Sequence, residues 1–272
     1  MQNLTFKVLG VGAWGSSFRS WSDLQIRLNG GDVKDDGVKS PKPEVIPANE
    51  RRRAPLPVRL AVETSSQACN HAGINPSELA SVFVSGLGDT QLTDYMCKVL
   101  AGENKALSPT KFHNSVHNAA AGYWTISTDC MQAANSVAGF GESVSLTLME
   151  SLIQAQAEQR ALLLTFYDAP SSPVLKELLK NEHSFSVSIV IAPTSLVSAT
   201  ANTVGPELSA SVVQQNVTWP NGQWNDDLAA CYAANPAARI LPFLELITSQ
   251  RQAIAIPLSN ACALSINVME EN

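Results

Sequence analysis

Apolar and polar positions along this chain switch between a period near two and a period near three and a half, and each switch marks an element. Leu4 to Gly10 is an apolar run that predicts a buried first strand. Trp21 to Leu28 reads as a short helix closed by Gly30 and Gly31, and the charged, proline-bearing stretch from Asp32 to Pro57 reads as a loop. Pro57 to Ala72 carries Val58, Ala61, Val62 and Cys69 at helical spacing. Asn75 to Glu78 then connects into Ala80 to Ser85, a strand-like run containing Val and Phe. Leu92 to Leu100 returns to helix, with Leu92, Met96, Val99 and Leu100 on one side.

From Glu142 to Gln159, Val144, Leu148 and Leu152, with Met149 and Ile153, recur every four residues, which predicts one apolar stripe on a long helix. Ala161 to Tyr167 follows at once as a continuous apolar run, expected of a strand covered on both faces. Ser184 to Ala192 alternates and then runs apolar, as a further strand would. Pro193 to Gly222 is rich in Ser, Thr, Ala and Val and predicts no defined element. Asp226 to Thr248 reads as helix interrupted at Pro236 and Pro242, and Ala253 to Val268 as one or two strands broken at Pro257. This alternation implies an α/β layered fold. Without an internal repeat or a linker, the reading is one domain over 1–272.

Composition narrows the function. The 272 residues are 45% apolar, enough for a substantial core. A formal charge of -6 argues against nucleic acid or an anionic membrane as partner, since both select clustered Lys and Arg. Arg51 to Arg53 is the one basic run, and it reads as a solvated loop; if it binds anything, the phosphates of an acyl-carrier arm are the candidate. No signal-peptide layout opens the sequence and no run nears the roughly 20 apolar residues of a membrane span, so the expected location is the cytoplasm. Cys69, Cys97, Cys130, Cys231 and Cys262 lack CxxC spacing and suggest reduced, space-filling thiols rather than a disulfide framework or zinc site.

Two motifs invite a cofactor or metal. Gly10, Gly12 and Gly15 match the GxGxxG dinucleotide fingerprint after a strand, which would make the chain a nucleotide-binding oxidoreductase. The acidic strand end that should follow about 20 residues later is replaced by a polar stretch, Asn29 to Asp36, so these glycines read instead as a tight strand-to-helix turn. His113 and His117 stand four apart and could share a helix face, but they lack an HExxH glutamate and an evident third ligand. The expectation is therefore no metal and no bound cofactor.

The most specific stretch runs Ser108-Pro-Thr-Lys-Phe-His-Asn-Ser-Val-His-Asn-Ala-Ala-Ala-Gly-Tyr-Trp124, followed by Ser136-Val-Ala-Gly-Phe-Gly-Glu-Ser-Val144. The first part resembles the segment before the nucleophile in β-ketoacyl synthases of the thiolase superfamily, and the second occupies the place of the nucleophile. Counting onward reaches Gly141, or Gly139 after a shift of two, and neither can carry an acyl group. A catalytic ketosynthase needs a thiolate at that helix N-terminus. Cys130 lies eleven residues before Gly141, Ser136 and Ser143 have no nearby histidine, His183 is the only histidine downstream, and no HGTGT-like segment exists.

The chain thus resembles the short β-ketoacyl-synthase-like family of chain-length-factor subunits in bacterial aryl polyene pathways, best over 1–170, with 171–272 a reduced second half. The resemblance implies a thiolase-like α/β/α layered fold with a mixed sheet and truncated second half. It also implies a non-catalytic partner of a full-length ketosynthase in a heterodimer for polyene or fatty-acid-like elongation. Acyl chains would arrive on the phosphopantetheine of acyl carrier protein, an indirect partner. By resemblance, Phe112, His113, Ser115, Val116, His117, Asn118, Phe140 and Gly141 border the acyl tunnel and partner interface. An active acyltransferase using Cys130 or a serine, and a homodimeric scaffold, are the other readings.

Overall fold

In the computed structural model, which describes residues 3–34, 36–198 and 200–269, eight strands join in one mixed sheet of order β3-β2-β4-β5-β1-β6-β8-β7. The strands are β1 (Leu4–Gly15), β2 (Ala80–Val84), β3 (Ala134–Val137), β4 (Leu162–Asp168), β5 (Phe185–Pro193), β6 (Leu208–Val213), β7 (Ala253–Pro257) and β8 (Ala263–Val268). Among the described residues the α-helices are α1 (Trp21–Leu28), α2 (Ala48–Arg51), α3 (Leu56–Ala72), α4 (Thr90–Ala101), α5 (Pro109–His113), α6 (Ala119–Ser127), α7 (Ser143–Glu158), α8 (Lys176–Leu179), α9 (Asp226–Ala234) and α10 (Leu241–Ile247). The pairs β2/β3 and β2/β4 are parallel and the others antiparallel. Only Leu4–Phe6 of β1 meets β6, through Leu208–Ala210, so a three-residue ladder joins the two parts of the sheet.

The first strand is longer than its apolar run, and the three glycines are not a turn. Gly10, Gly12 and Gly15 all lie within β1; α3 crosses directly over Gly10 and Gly12, and the Phe18 ring packs against Gly15. A β-carbon on Gly10 would stand 2.3 Å from the Ala68 carbonyl oxygen, which is why the strand is bare of side chains beneath that helix. Along the edge of β1 that β6 leaves open beyond Phe6, α3 supplies hydrogen bonds: the Ala13 amide donates to Gln67 Oε1 at 3.0 Å and the Val11 amide to His71 Nδ1 at 3.2 Å. The space a dinucleotide would need is filled by helix, which removes the oxidoreductase reading of these glycines.

β5 also departs from expectation in a physical way. Its alternation does not separate core from water, since every residue from Phe185 to Pro193 is buried. Ser186 and Ser188 face hydroxyls instead: Thr64 Oγ1 lies 2.8 Å from both, and Thr165 Oγ1 lies 2.8 Å from Ser188 and from Ser65. These hydroxyls satisfy one another between α3 and the sheet, as buried polar groups must. On the opposite face the main core gathers Val144, Leu148 and Leu152 of α7 with Phe166, Val187 and Ile189, and with Leu241, Phe243 and Leu244 of α10. The prolines act as expected: Pro236 opens a 3-10 turn over Pro236–Ile240, and Pro242 sits in the first turn of α10. β6 lies inside the stretch from which the sequence predicts nothing.

Candidate functional site

The ends of β2, β3 and β4 deliver three loops to one region. β3 is the edge strand and leads through Ala138 into a short 3-10 turn, Phe140–Glu142, before α7 begins at Ser143. Phe140 takes the left-handed conformation, φ 48°, which is uncommon for a residue with a bulky side chain. Its ring is 59% exposed. Gly139 and Gly141, the two positions reached by counting, flank it.

Ser143 fastens this turn. Its hydroxyl accepts from the Gly139 amide at 2.8 Å and donates to the Phe140 carbonyl at 2.8 Å. Glu142 stands at the N-cap position without a side-chain capping bond. Cys130 is buried, with Sγ 3.4 Å from the Leu79 carbonyl oxygen. Burial pushes the neighbouring Cys69 thiol up to about 12, with the Cys130 charge adding to the effect. These arrangements serve structure, and none pairs a thiol or hydroxyl with a histidine base.

The histidine-bearing segment folds differently from a single helix. α5 ends at His113 and α6 starts at Ala119, so His113 and His117 do not share a helix face. Pro109 and the Ser108 N-cap start the first piece. Asn114 stops it: its amide group donates to the Arg53 carbonyl at 3.1 Å and its side-chain oxygen accepts from Tyr123 Oη at 3.3 Å. His117 Nε2 lies 3.0 Å from the Val137 carbonyl oxygen, linking this segment to the last residue of β3.

Ser115, Val116 and His117 line a cleft of ≈ 160 Å³, together with Leu87, Gly88, Asp89 and Tyr167. His113, Val116 and Asn118 line a second, of ≈ 430 Å³, against Gly122, Tyr123 and Ile126 of α6. Phe112, Phe140 and Gly141 line neither. The predicted residues therefore divide between a cleft, a groove on α6 and the turn after β3, with Phe112 apart from all three on α5. Leu87, Gly88, Asp89 and Tyr167 are cleft residues that sequence reasoning missed. Burial raises the acid groups of Asp89 and Tyr167, so both favour their neutral forms more than in water.

Exposed apolar side chains lie on α5, on α6 and in the segments that flank β3 in sequence. Phe112 is 59% exposed, Val116 52%, Ile126 79% and Met131 94%. α6 packs on β3, and Met131 and Phe140 bracket that strand in sequence. A bare strand edge beside such side chains is a surface that proteins ordinarily cover.

The family model for the β-ketoacyl synthase N-terminal domain matches residues 21–240. No protein in the comparison with curated proteins matches the sequence. Among solved structures, one of a ketosynthase (ApeO) in complex with its chain length factor (ApeC) from Xenorhabdus doucetiae is similar at TM-score 0.71 and 18% identity, covering 97% of this chain and 99% of that one. A type II polyketide synthase ketosynthase with its acyl carrier protein (AntDE:AntF) is similar at TM-score 0.66 and 14% identity, over 98% and 100%. The ishigamide ketosynthase/chain length factor gives TM-score 0.66 and 12% identity, again over 98% and 100%. These likenesses show the fold: a thiolase-like ketosynthase fold with a mixed eight-stranded sheet.

Proposed function

The chain belongs to the β-ketoacyl synthase family, and on that premise we propose that it is a non-catalytic chain-length-factor partner of a full-length ketosynthase. The observation that carries this is Phe140. At the turn before α7, where a ketosynthase must hold a thiolate, the chain has Gly139, Phe140 and Gly141 and no cysteine, with Phe140 presented in the left-handed conformation between the two glycines. The nearest hydroxyl, Ser143, is spent on capping. A ring at that position can fill space and exclude water, but it cannot form the thioester that condensation needs.

The partner's cysteine would take the growing chain and condense it with malonyl units delivered on acyl carrier protein. This chain would contribute the surface formed by β3, α5 and α6. Phe112 and Val116 project from that surface and would close the end of the partner's acyl tunnel, since overfilling a packed space is costly. Products of the aryl polyene or fatty-acid-like kind, made in the cytoplasm, fit this role. The exposed apolar side chains around β3 support heterodimerisation, because stable interfaces centre on such groups.

Co-expression with the ketosynthase, followed by size-exclusion chromatography with mass determination, tests the reading. A one-to-one complex is expected. A well-behaved solitary monomer that ignores the ketosynthase would reject it and bring back the acyltransferase reading, to be examined by acyl labelling of Cys130.

A further inference from the structure

Asp168, at the end of β4, is fully buried, and no residue of the cofactor, metal or nucleophile readings involves it. Its carboxylate collects hydrogen bonds from two distant parts of the chain. Oδ1 accepts from Ser85 Oγ at 2.7 Å and from the Leu87 amide at 2.9 Å. Oδ2 accepts from the Gly86 amide at 3.2 Å and from the Ala237 amide at 3.2 Å. Ser85 Oγ in turn accepts from the Gly88 amide at 2.8 Å. Successive amides of one loop thus converge on a single anion, the arrangement of a backbone nest, and the anion is the protein's own.

The loop so held is a wall of the cleft. Leu87 and Gly88 line it, and so does Tyr167, the residue before Asp168. Gly86 lies against the turn: a β-carbon there would stand 2.5 Å from Pro236 Cβ and 3.0 Å from the Phe140 carbonyl oxygen. Asn235 completes the junction, donating from Nδ2 to the His183 carbonyl at 3.1 Å and to Asn181 Oδ1 at 3.3 Å, while its Oδ1 accepts from the Ala237 amide at 3.0 Å. One carboxylate therefore ties the Ser85–Gly88 loop to the start of the Pro236–Ile240 turn, with Phe140 packed at the same junction.

We infer that Asp168 is a positioning residue, an internal anion that sets the cleft wall at Leu87 and Gly88 and thereby the length of chain the complex makes. The role in length rests on the chain-length-factor reading; the role in holding the loop does not. The charge matters as well as the shape. An asparagine has one acceptor oxygen, and whichever way its amide turns, its NH₂ group faces at least one backbone N–H, because each oxygen of Asp168 serves at least one.

The test is hydrogen exchange on Asp168→Asn in the assembly the wild-type chain forms, with product analysis of the ketosynthase complex. Loss of protection at Gly86, Leu87 and Gly88 with β5 unchanged is expected, together with a shift to a broader product-length distribution at turnover close to wild type. A residue with only a general structural role would lower turnover and leave the distribution alone. Retained protection at 86–88 overturns the loop-holding role, and an unchanged distribution from an intact complex overturns the role in length. Failure of the wild-type chain to bind the ketosynthase removes the chain-length reading and with it the length role, and leaves the exchange result to decide the rest. Should Asp168→Asn not fold, Ser85→Ala removes only the hydroxyl between Oδ1 and the Gly88 amide. Exchange at Gly88 must then rise, and unchanged exchange there counts against the inference.

Discussion

A β-carbon placed on Gly12 would stand 2.1 Å from the carbonyl oxygen of Thr64, so the backbones of β1 and α3 leave no room there for a side chain. Backbone cannot swing aside as a side-chain tip can, so Gly12→Ala must push the helix off the sheet. We expect a loss of about 3 kcal/mol or more. Gly122 on α6 has open space at the same construction, and Gly122→Ala should stabilise by about 0.5–1 kcal/mol through helix propensity. Urea midpoints of the two variants check this; equal effects would refute the packing argument.

Ile126 points outward from α6 beside the edge strand. Ile126→Glu should abolish the ketosynthase complex on size exclusion while leaving the circular dichroism of the chain unchanged, since an exposed position carries little folding energy. A complex of wild-type affinity would show that the partner lies elsewhere.

Phe112→Ala removes the bulk proposed to end the tunnel. Longer products are expected from an intact complex, read by mass spectrometry. Unchanged product length would remove Phe112 from the tunnel.

Burial pushes the Asp168 acid up to about 6, outweighing the hydrogen bonds that favour its ionised form. The folded value lies above the unfolded value of 3.8, so the native state holds the proton more tightly. The stability from this group is therefore fully present below about pH 4, falls as pH rises toward about 6, and is level above that. The change across the window is roughly 3 kcal/mol. Unfolding free energies of wild type and Asp168→Asn should converge or cross as pH rises through that range; a constant difference would contradict the assignment.

Ser188 sits among Thr64, Ser65 and Thr165, and Ser188→Ala removes one hydrogen-bond partner from the buried hydroxyls of Thr64 and Thr165, which keep Ser186 and Ser65. A loss of about 0.5–1.5 kcal/mol is expected in thermal or urea unfolding. A neutral effect would mean the remaining hydroxyls re-pair.

Much of the sheet was legible because its strands obey local rules. Ala80 to Ser85 and Ala161 to Tyr167 read correctly, since burial on both faces demands apolar runs. Gly10 to Gly15 did not, because a strand crossed closely by a helix must lose the side chains beneath it, as at Gly10 and Gly12, and locally such glycines resemble a turn. The hydroxyls of β5 were misleading in the same way, as their partners lie on α3 and β4. Ser108 to Trp124 was found as a segment, yet its break at Asn114 depends on the Arg53 carbonyl, a contact far away in sequence. Asp168 closes an apolar run and gives no local sign that amides from two distant segments converge on it.

The pairing of β1 has a consequence for how the chain reaches this structure. Phe6 pairs with Pro193 and Leu4 with Ala210, so the strand nearest one end of the described chain has no partners until the later half is made. Closing loops of that length is entropically slow. During synthesis the glycine-rich strand must wait, and the underside of α3 waits with it, exposed to wrong partners such as other nascent chains. Residues made well before their partners are thus among the last to find their place, and they need shielding meanwhile.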